Sequence, residues 1–141
     1  MTTLAFNYKD GEIACDSRVT SGTLIMSDKC NKTRKFNGCT FFIAGVVSDI
    51  DALVETYPCG YEGMTDLDAQ ALVIDEGNVY LCTVYEGKYH VTPIEDNFCL
   101  GSGGDFALVA MDFGLDAKQA VKYAMTRDSA TGGRVRVVKV K

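Results

Sequence analysis

Residues Thr40 to Val46 form an almost unbroken apolar run. A strand with one wet face alternates apolar and polar residues, so a continuous run predicts a strand covered on both faces. Punctuation on either side supports this. Asn37-Gly38 is a two-residue hairpin signal and joins the run to a preceding strand, Lys32 to Phe36. After the run, Ser48 with Asp51 three residues on reads as a helix N-cap. Ile50, Leu53, Val54 and Tyr57 then fall at helical spacing, and Pro58 and Gly60 close that helix. Residues 58–68 read as loop.

The other segments follow the same logic. Thr3 to Tyr8 and Glu12 to Asp16 read as a hairpin about Lys9-Asp10-Gly11. Ser17 to Gly22 reads as a polar turn, and Leu24 to Ser27 as a short extended piece. Ala69 to Asp75, Asn78 to Tyr85 and Lys88 to Ile94 form a meander with turns at Glu76-Gly77 and Glu86-Gly87. Phe98 to Leu100 is a short strand leading into Gly101-Ser102-Gly103-Gly104. Asp105 to Phe113 reads as a helix whose apolar face is Phe106, Val109, Ala110 and Phe113. Gly114 breaks it, and Asp116 caps a second helix with Ala117, Ala120, Val121, Ala124 and Met125 inward. Val135 to Val140 alternates with basic residues and reads as a closing strand. Strands, a helix, strands, two helices and a strand predict an α+β fold, satisfied by two stacked sheets with helices outside.

A chain of 141 residues is the size of one domain, 1–141, and buries a core without staples. A net charge of −5 argues against a general nucleic-acid surface. No segment approaches the ~18 apolar residues of a membrane span, and no signal-peptide pattern opens the chain. These features predict a cytoplasmic protein. The cysteines stand at 15, 30, 39, 59, 82 and 99 with no CxxC pair, and His90 is the single histidine. That spacing predicts free thiols rather than zinc ligands or a disulfide framework.

Chemistry enters at Met1-Thr2-Thr3. With Met1 removed, Thr2 carries a hydroxyl and an α-amine on one residue. A hydroxyl is a weak nucleophile without an adjacent base. An α-amine titrates near ~8, so a useful fraction is neutral and basic at physiological pH. One residue then supplies nucleophile and base. Many chains open Met-Thr, so the pair alone is a weak signal. Three later stretches strengthen it: Asp16-Ser17-Arg18, Lys32, and Arg127 to Gly133. An Asp–Lys pair taken alone reads as a surface salt bridge. The glycines at 101–104 taken alone read as a phosphate cradle, which no other nucleotide motif supports.

Six motifs in order resemble the proteasome β-subunit family, including HslV-type peptidases, over nearly the whole chain. They are Thr2-Thr3 before a hairpin; Ala14-Cys15-Asp16-Ser17-Arg18-Val19-Thr20-Ser21-Gly22, close to the family's ADSRATxG; and Lys32-Thr33-Arg34-Lys35-Phe36. Then come Ile43-Ala44-Gly45 before a helix, Gly101-Ser102-Gly103-Gly104 opening a helix, and Arg127-Asp128-Ser129-Ala130-Thr131-Gly132-Gly133, close to RDAxSGG.

The resemblance implies an αββα four-layer sandwich of the N-terminal nucleophile type, with one outer helical layer reduced. The second of two helices expected before the meander is missing. It implies a threonine endopeptidase in which Thr2 Oγ attacks the peptide carbonyl. Lys32, paired with Asp16, favours the alkoxide-like form, and Ser102, Asp128 and Thr131 orient the amine. Backbone N–H groups of Val47 or Ser48, in the turn after the apolar strand, would face the oxyanion. Thr20 would pair with extended substrate, and Val19, Cys30 and Val46 would line an uncharged specificity pocket. The implied substrate is a peptide or unfolded protein. The implied partners are further copies in a homo-oligomeric ring and an ATPase unfoldase. No cofactor is needed for the chemistry, and a monovalent or divalent cation near the C-terminal loop is implied by the same likeness. An inactive ring-building subunit and a small-molecule amidase stand as alternatives.

Overall fold

A computed structural model of the chain describes residues 2–45, 47–57 and 69–141. In chain order its elements are β1 (Thr3–Asn7), β2 (Glu12–Cys15), β3 (Val19–Ser21), β4 (Leu24–Ser27), β5 (Thr33–Phe36), β6 (Cys39–Gly45) and α1 (Val47–Thr56). There follow β7 (Ala69–Asp75), β8 (Asn78–Tyr85), β9 (Lys88–Pro93), β10 (Phe98–Gly101), α2 (Gly104–Asp112), α3 (Ala117–Met125) and β11 (Arg136–Lys139). The described residues are thus α+β and divide into two compact units, Met1–Lys32 with Glu95–Lys141, and Thr33–Ile94. Among the described residues no helix is long and apolar enough to cross a membrane.

The first unit holds an antiparallel sheet in the order β10-β1-β2-β11 and a separate β3-β4 hairpin. β1 is central. Its first residue, Thr3, faces Gly101 on one side, and one step beyond the Leu4–Cys15 pair lies Asp16 on the other. One end of the sheet therefore gathers the start of β1, the end of β2 and the end of β10. Helices α2 and α3 cover one face through Ala107, Ala110, Ala117, Ala120, Val121 and Ala124, packed on Ala5 and Ala14. Alanine on both sides lets helix and sheet approach closely and seals the core with small side chains.

α3 begins as expected. The Asp116 side chain accepts from the Gln119 N–H, and the Gln119 side chain accepts from the Asp116 N–H, completing a capping box. α2 departs from expectation. Ala107, Ala110 and Met111 turn inward, while Phe106, Val109 and Phe113 face solvent, Phe113 at 85% exposure. The larger apolar stripe is thus the outer one, because the alanine-lined gap beside the sheet has no room for phenylalanine. The polar turn expected from Ser17 to Gly22 also contains a strand. β3 pairs with β4, and the turn is confined to Gly22 and Thr23, with Gly22 at φ +58°.

The second unit is the antiparallel sheet β5-β6-β7-β8-β9 with α1 packed on it. Phe41, Phe42 and Ile43 are consecutive and all buried, so both faces of β6 are covered, as the apolar run predicts. Leu53 and Val54 of α1 bury against Phe41, Ile43, Ala71 and Val73. Each such side chain contributes about 1.5–3 kcal/mol by leaving water. Asn37-Gly38, Glu76-Gly77 and Glu86-Gly87 all have positive φ at both positions, the geometry of tight hairpin turns. α1 starts at Val47, so Ser48 stands in its first turn rather than capping it. The loop expected at 58–68, where the sequence predicts no second helix, and Val46 lie outside the described residues. Cys15, Cys30, Cys39, Cys82 and Cys99 are free thiols.

Candidate active site

Asp16 is the hub at the gathered end of the first sheet. It follows β2 directly and is 0% exposed. A buried carboxylate must be paired and hydrogen-bonded, and this one is. Oδ1 accepts from Lys32 Nζ at 2.7 Å and from the Thr3 N–H at 3.1 Å. Oδ2 accepts from the Gly132 N–H at 3.1 Å. Lys32 is itself only 7% exposed. Two donors on one oxygen bring the ammonium next to the peptide bond that joins Thr2 to Thr3. Thr2 is buried, at 8% exposure.

A second network reaches Thr3 through its side chain. Asp128 Oδ2 accepts from Ser102 Oγ at 2.5 Å and from Thr131 Oγ1 at 2.6 Å, and Oδ1 accepts from the Ala130 N–H at 3.1 Å. Burial raises the Asp128 pKa, but the donors on it outweigh that, and it sits below the ordinary carboxylate value. Thr131 Oγ1 lies 2.6 Å from Thr3 Oγ1. Since the Thr131 proton is committed to Asp128, Thr3 is the donor in that contact.

The loop carrying Asp128 and Thr131 is fastened to β2. The Ser17 N–H donates to the Gly132 carbonyl at 3.0 Å, and Ser17 Oγ donates to the Arg134 carbonyl. Arg18 holds Asp28 with Nε at 2.8 Å and Nη2 at 3.1 Å, and donates from Nη1 to the Ser129 carbonyl at 3.0 Å. Its guanidinium lies flat against Gly132, where any Cβ would overlap it.

Asp16 and Lys32 are therefore brought together, as are Ser102, Asp128 and Thr131, and both groups meet Thr3. Thr20 and Val19 lie on β3, half-buried, and the Cys30 N–H donates to the Ser17 carbonyl at 3.0 Å beside them. Val47 and Ser48 open α1 in the other unit. Their N–H groups are among those a helix leaves without intrahelical partners. Val46 lies outside the described residues. Among the described residues no cluster of three metal-ligating side chains is present.

The site also contains Thr3, Ser17 and Arg18, which stand in the motifs without an assigned role, and Asp28, which stands in none. Thr3 carries no sequence signal beyond standing next to Thr2, since alternation marks it only as a strand residue. Ser17 and Arg18 sit inside the Asp16 motif, so their adjacency was the available signal. Cys15, beside Asp16, has its thiol pushed up to about 12 by burial first and by the Asp16 charge second, which makes it inert at neutral pH.

Solved structures share this fold across nearly the whole chain. Eukaryotic HslV from Trypanosoma brucei superposes with a TM-score of 0.72 at 21% identity, covering 97% of this chain and 99% of its own. Thiobacillus denitrificans BPH does so with a TM-score of 0.70 at 18% identity over 100% and 99%. The same protein in complex with epoxomicin gives 0.70 at 19% identity over 99% and 99%. No family model and no curated protein matches the sequence. The chain has the HslV-type fold that its motifs resemble.

Proposed function

We propose that this HslV-type chain is a threonine peptidase that cleaves peptide bonds through Thr2 once Met1 is removed. One observation carries the reading: the buried Asp16 carboxylate holds both Lys32 Nζ and the Thr3 N–H on one oxygen. A buried ammonium fixed beside the nucleophile's own peptide bond has electrostatic work to do. It favours a developing alkoxide on Thr2.

In the proposed reaction, the freed amine of Thr2 takes the hydroxyl proton as Oγ attacks the substrate carbonyl. The tetrahedral intermediate collapses to an ester on Thr2, and the same amine returns the proton to the leaving nitrogen. Water then hydrolyses the ester by the same steps. Lys32 Nζ is held in place on Asp16 Oδ1 at 2.7 Å. Ser102 Oγ spends its proton on Asp128, so its free lone pairs can only accept. That polarity suits an ammonium or a water bridging to one.

We also infer that the chain works as a homo-oligomer. Phe106, Val109 and Phe113 form an exposed stripe on α2, flanked by Asp105 and Asp112. The neighbouring outer face of α3 carries Lys118, Lys122 and Tyr123. A second copy related by a twofold would bring acidic α2 over basic α3, with aromatic rings between them.

The test is intact mass of the protein after Met1 removal, with and without epoxomicin, whose warhead needs the hydroxyl and free amine of one residue. The expected result is one adduct on Thr2, absent in Thr2→Ala, together with hydrolysis of a fluorogenic peptide amide. A Met1-free protein that takes no adduct and cleaves nothing refutes the peptidase and favours an inactive subunit of the same fold.

A further inference from the structure

Thr3 is wholly buried, and both of its polar donors are held by the two networks. Its N–H goes to Asp16 Oδ1 at 3.1 Å and its hydroxyl to Thr131 Oγ1 at 2.6 Å. The glycine turn before α2 closes the remaining side. Gly101 stands at φ +90°, and a Cβ there would overlap the Thr2 carbonyl. A Cβ at Gly103 would press on Thr3 Oγ1 and lie 2.7 Å from Thr131 Oγ1. These two glycines therefore leave room for the backbone of Thr2 and the hydroxyl of Thr3, rather than cradling a phosphate.

We propose that Thr3 is a positioning residue for the nucleophile: its hydroxyl bond to Thr131, with clearance from Gly103, sets the direction in which Thr2 leaves the sheet. This rests on the peptidase reading. The peptide bond of Thr2 is backed by Gly101 on one side. On the other, the Thr3 carbonyl accepts from the Asp16 N–H at 3.3 Å, which holds the backbone but not the side chain. Asp16 fixes its N–H, and Thr131 fixes its side chain. Without the hydroxyl bond the side-chain anchor is lost, and Thr2 Oγ samples directions away from the substrate carbonyl. Small misplacements of a reacting atom are costly because the near-attack geometry is narrow.

The experiment compares Thr3→Val, Thr3→Ser and Gly103→Ala in the Met1-free protein, reading kcat, KM and melting temperature on one peptide amide. Thr3→Val keeps the shape and loses the donor. A positioning role predicts a kcat reduced by roughly 10-fold to 100-fold, with KM within about 2-fold of the parent. Thr3→Ser restores the donor and should recover most of kcat. Gly103→Ala crowds the hydroxyl pair with both threonines intact and should lower kcat in the same way, which keeps the test alive if Thr3→Val does not fold. A Thr3→Val protein with parental kcat overturns the role, as does a Thr3→Ser protein no better than Thr3→Val. Those results leave the peptidase standing. A parent protein that neither hydrolyses nor takes the epoxomicin adduct overturns the peptidase itself, and the positioning role falls with it.

Discussion

Lys32 Nζ lies 2.7 Å from Asp16 Oδ1, and neither side chain is more than 6% exposed. Such a pair is weak evidence for stability, because desolvating two charges consumes most of what their attraction returns. Its retention in the core is better explained by what the ammonium does next to Thr2.

Removing one partner exposes that balance. Lys32→Ala leaves a buried carboxylate with amide donors alone, and the expected cost is about 3–5 kcal/mol of unfolding free energy. Urea titration measures it. Turnover should be lost at temperatures where the variant is still folded, and substantial residual hydrolysis would remove Lys32 from the chemistry.

Asp128 gives the site an acid limit. Its folded pKa is lowered from 3.8, so the ionised carboxylate stabilises the fold fully above 3.8, and that contribution disappears as pH falls through the lower folded value. Asp128→Asn should therefore melt at a temperature that changes less with pH on the acid side. An acid limb as steep as the parent's would show that the carboxylate is not held as described.

The alkaline side belongs to the thiols. Burial drives Cys15 and Cys82 from 9.0 to about 12, with Asp16 adding to the effect at Cys15. The stability they contribute is full below 9.0 and drains away as pH rises toward 12. In the folded protein at mildly alkaline pH both should resist iodoacetamide, and both should label after denaturation. Mass spectrometry of the alkylated peptides decides this.

Gly132 and Arg18 should behave as one unit. Gly132→Ala places a methyl where the guanidinium lies, and overpacking of this kind costs about 1–3 kcal/mol. In an Arg18→Ala background the same change should cost almost nothing, because the space is vacant. Additive losses in the double variant would show that the two do not share that space.

The outer stripe of α2 carries the assembly prediction. Phe113→Asp with Val109→Asp should shift the protein to lower mass in sedimentation velocity, with an unchanged circular-dichroism spectrum. A parent that is monomeric at micromolar concentration would end the oligomer reading.

Much of the architecture was legible in short stretches. The apolar run before Gly45, the three turns ending in glycine and the alanine stripe of α3 are each written within about ten residues, and each formed where expected. The outward face of α2 was misread for a physical reason. Phe106, Val109 and Phe113 are more apolar than Ala107, Ala110 and Met111, so periodicity selects the wrong face, and only the narrow gap beside Ala5 and Ala14 reverses the choice. β3 went unread because its Val19-Thr20-Ser21 sequence is polar and becomes a strand through pairing with β4.

Of the site, the residue types and their order were readable, but their connections were not. Asp16, Lys32, Ser102, Asp128 and Thr131 stand in the sequence as separate motifs. What joins them spans 128 residues between Thr3 and Thr131 and 116 between Asp16 and Gly132. Turns, caps and periodicity are local because they depend on backbone preferences over a few residues. The donors that converge on a buried carboxylate depend on which loops the closed sheet brings to one end. Sequence alone therefore determined the strands other than β3, the tight turns and the candidate nucleophile. Only the tertiary structure decided that Thr3, an ordinary strand residue by pattern, is the point at which both networks meet.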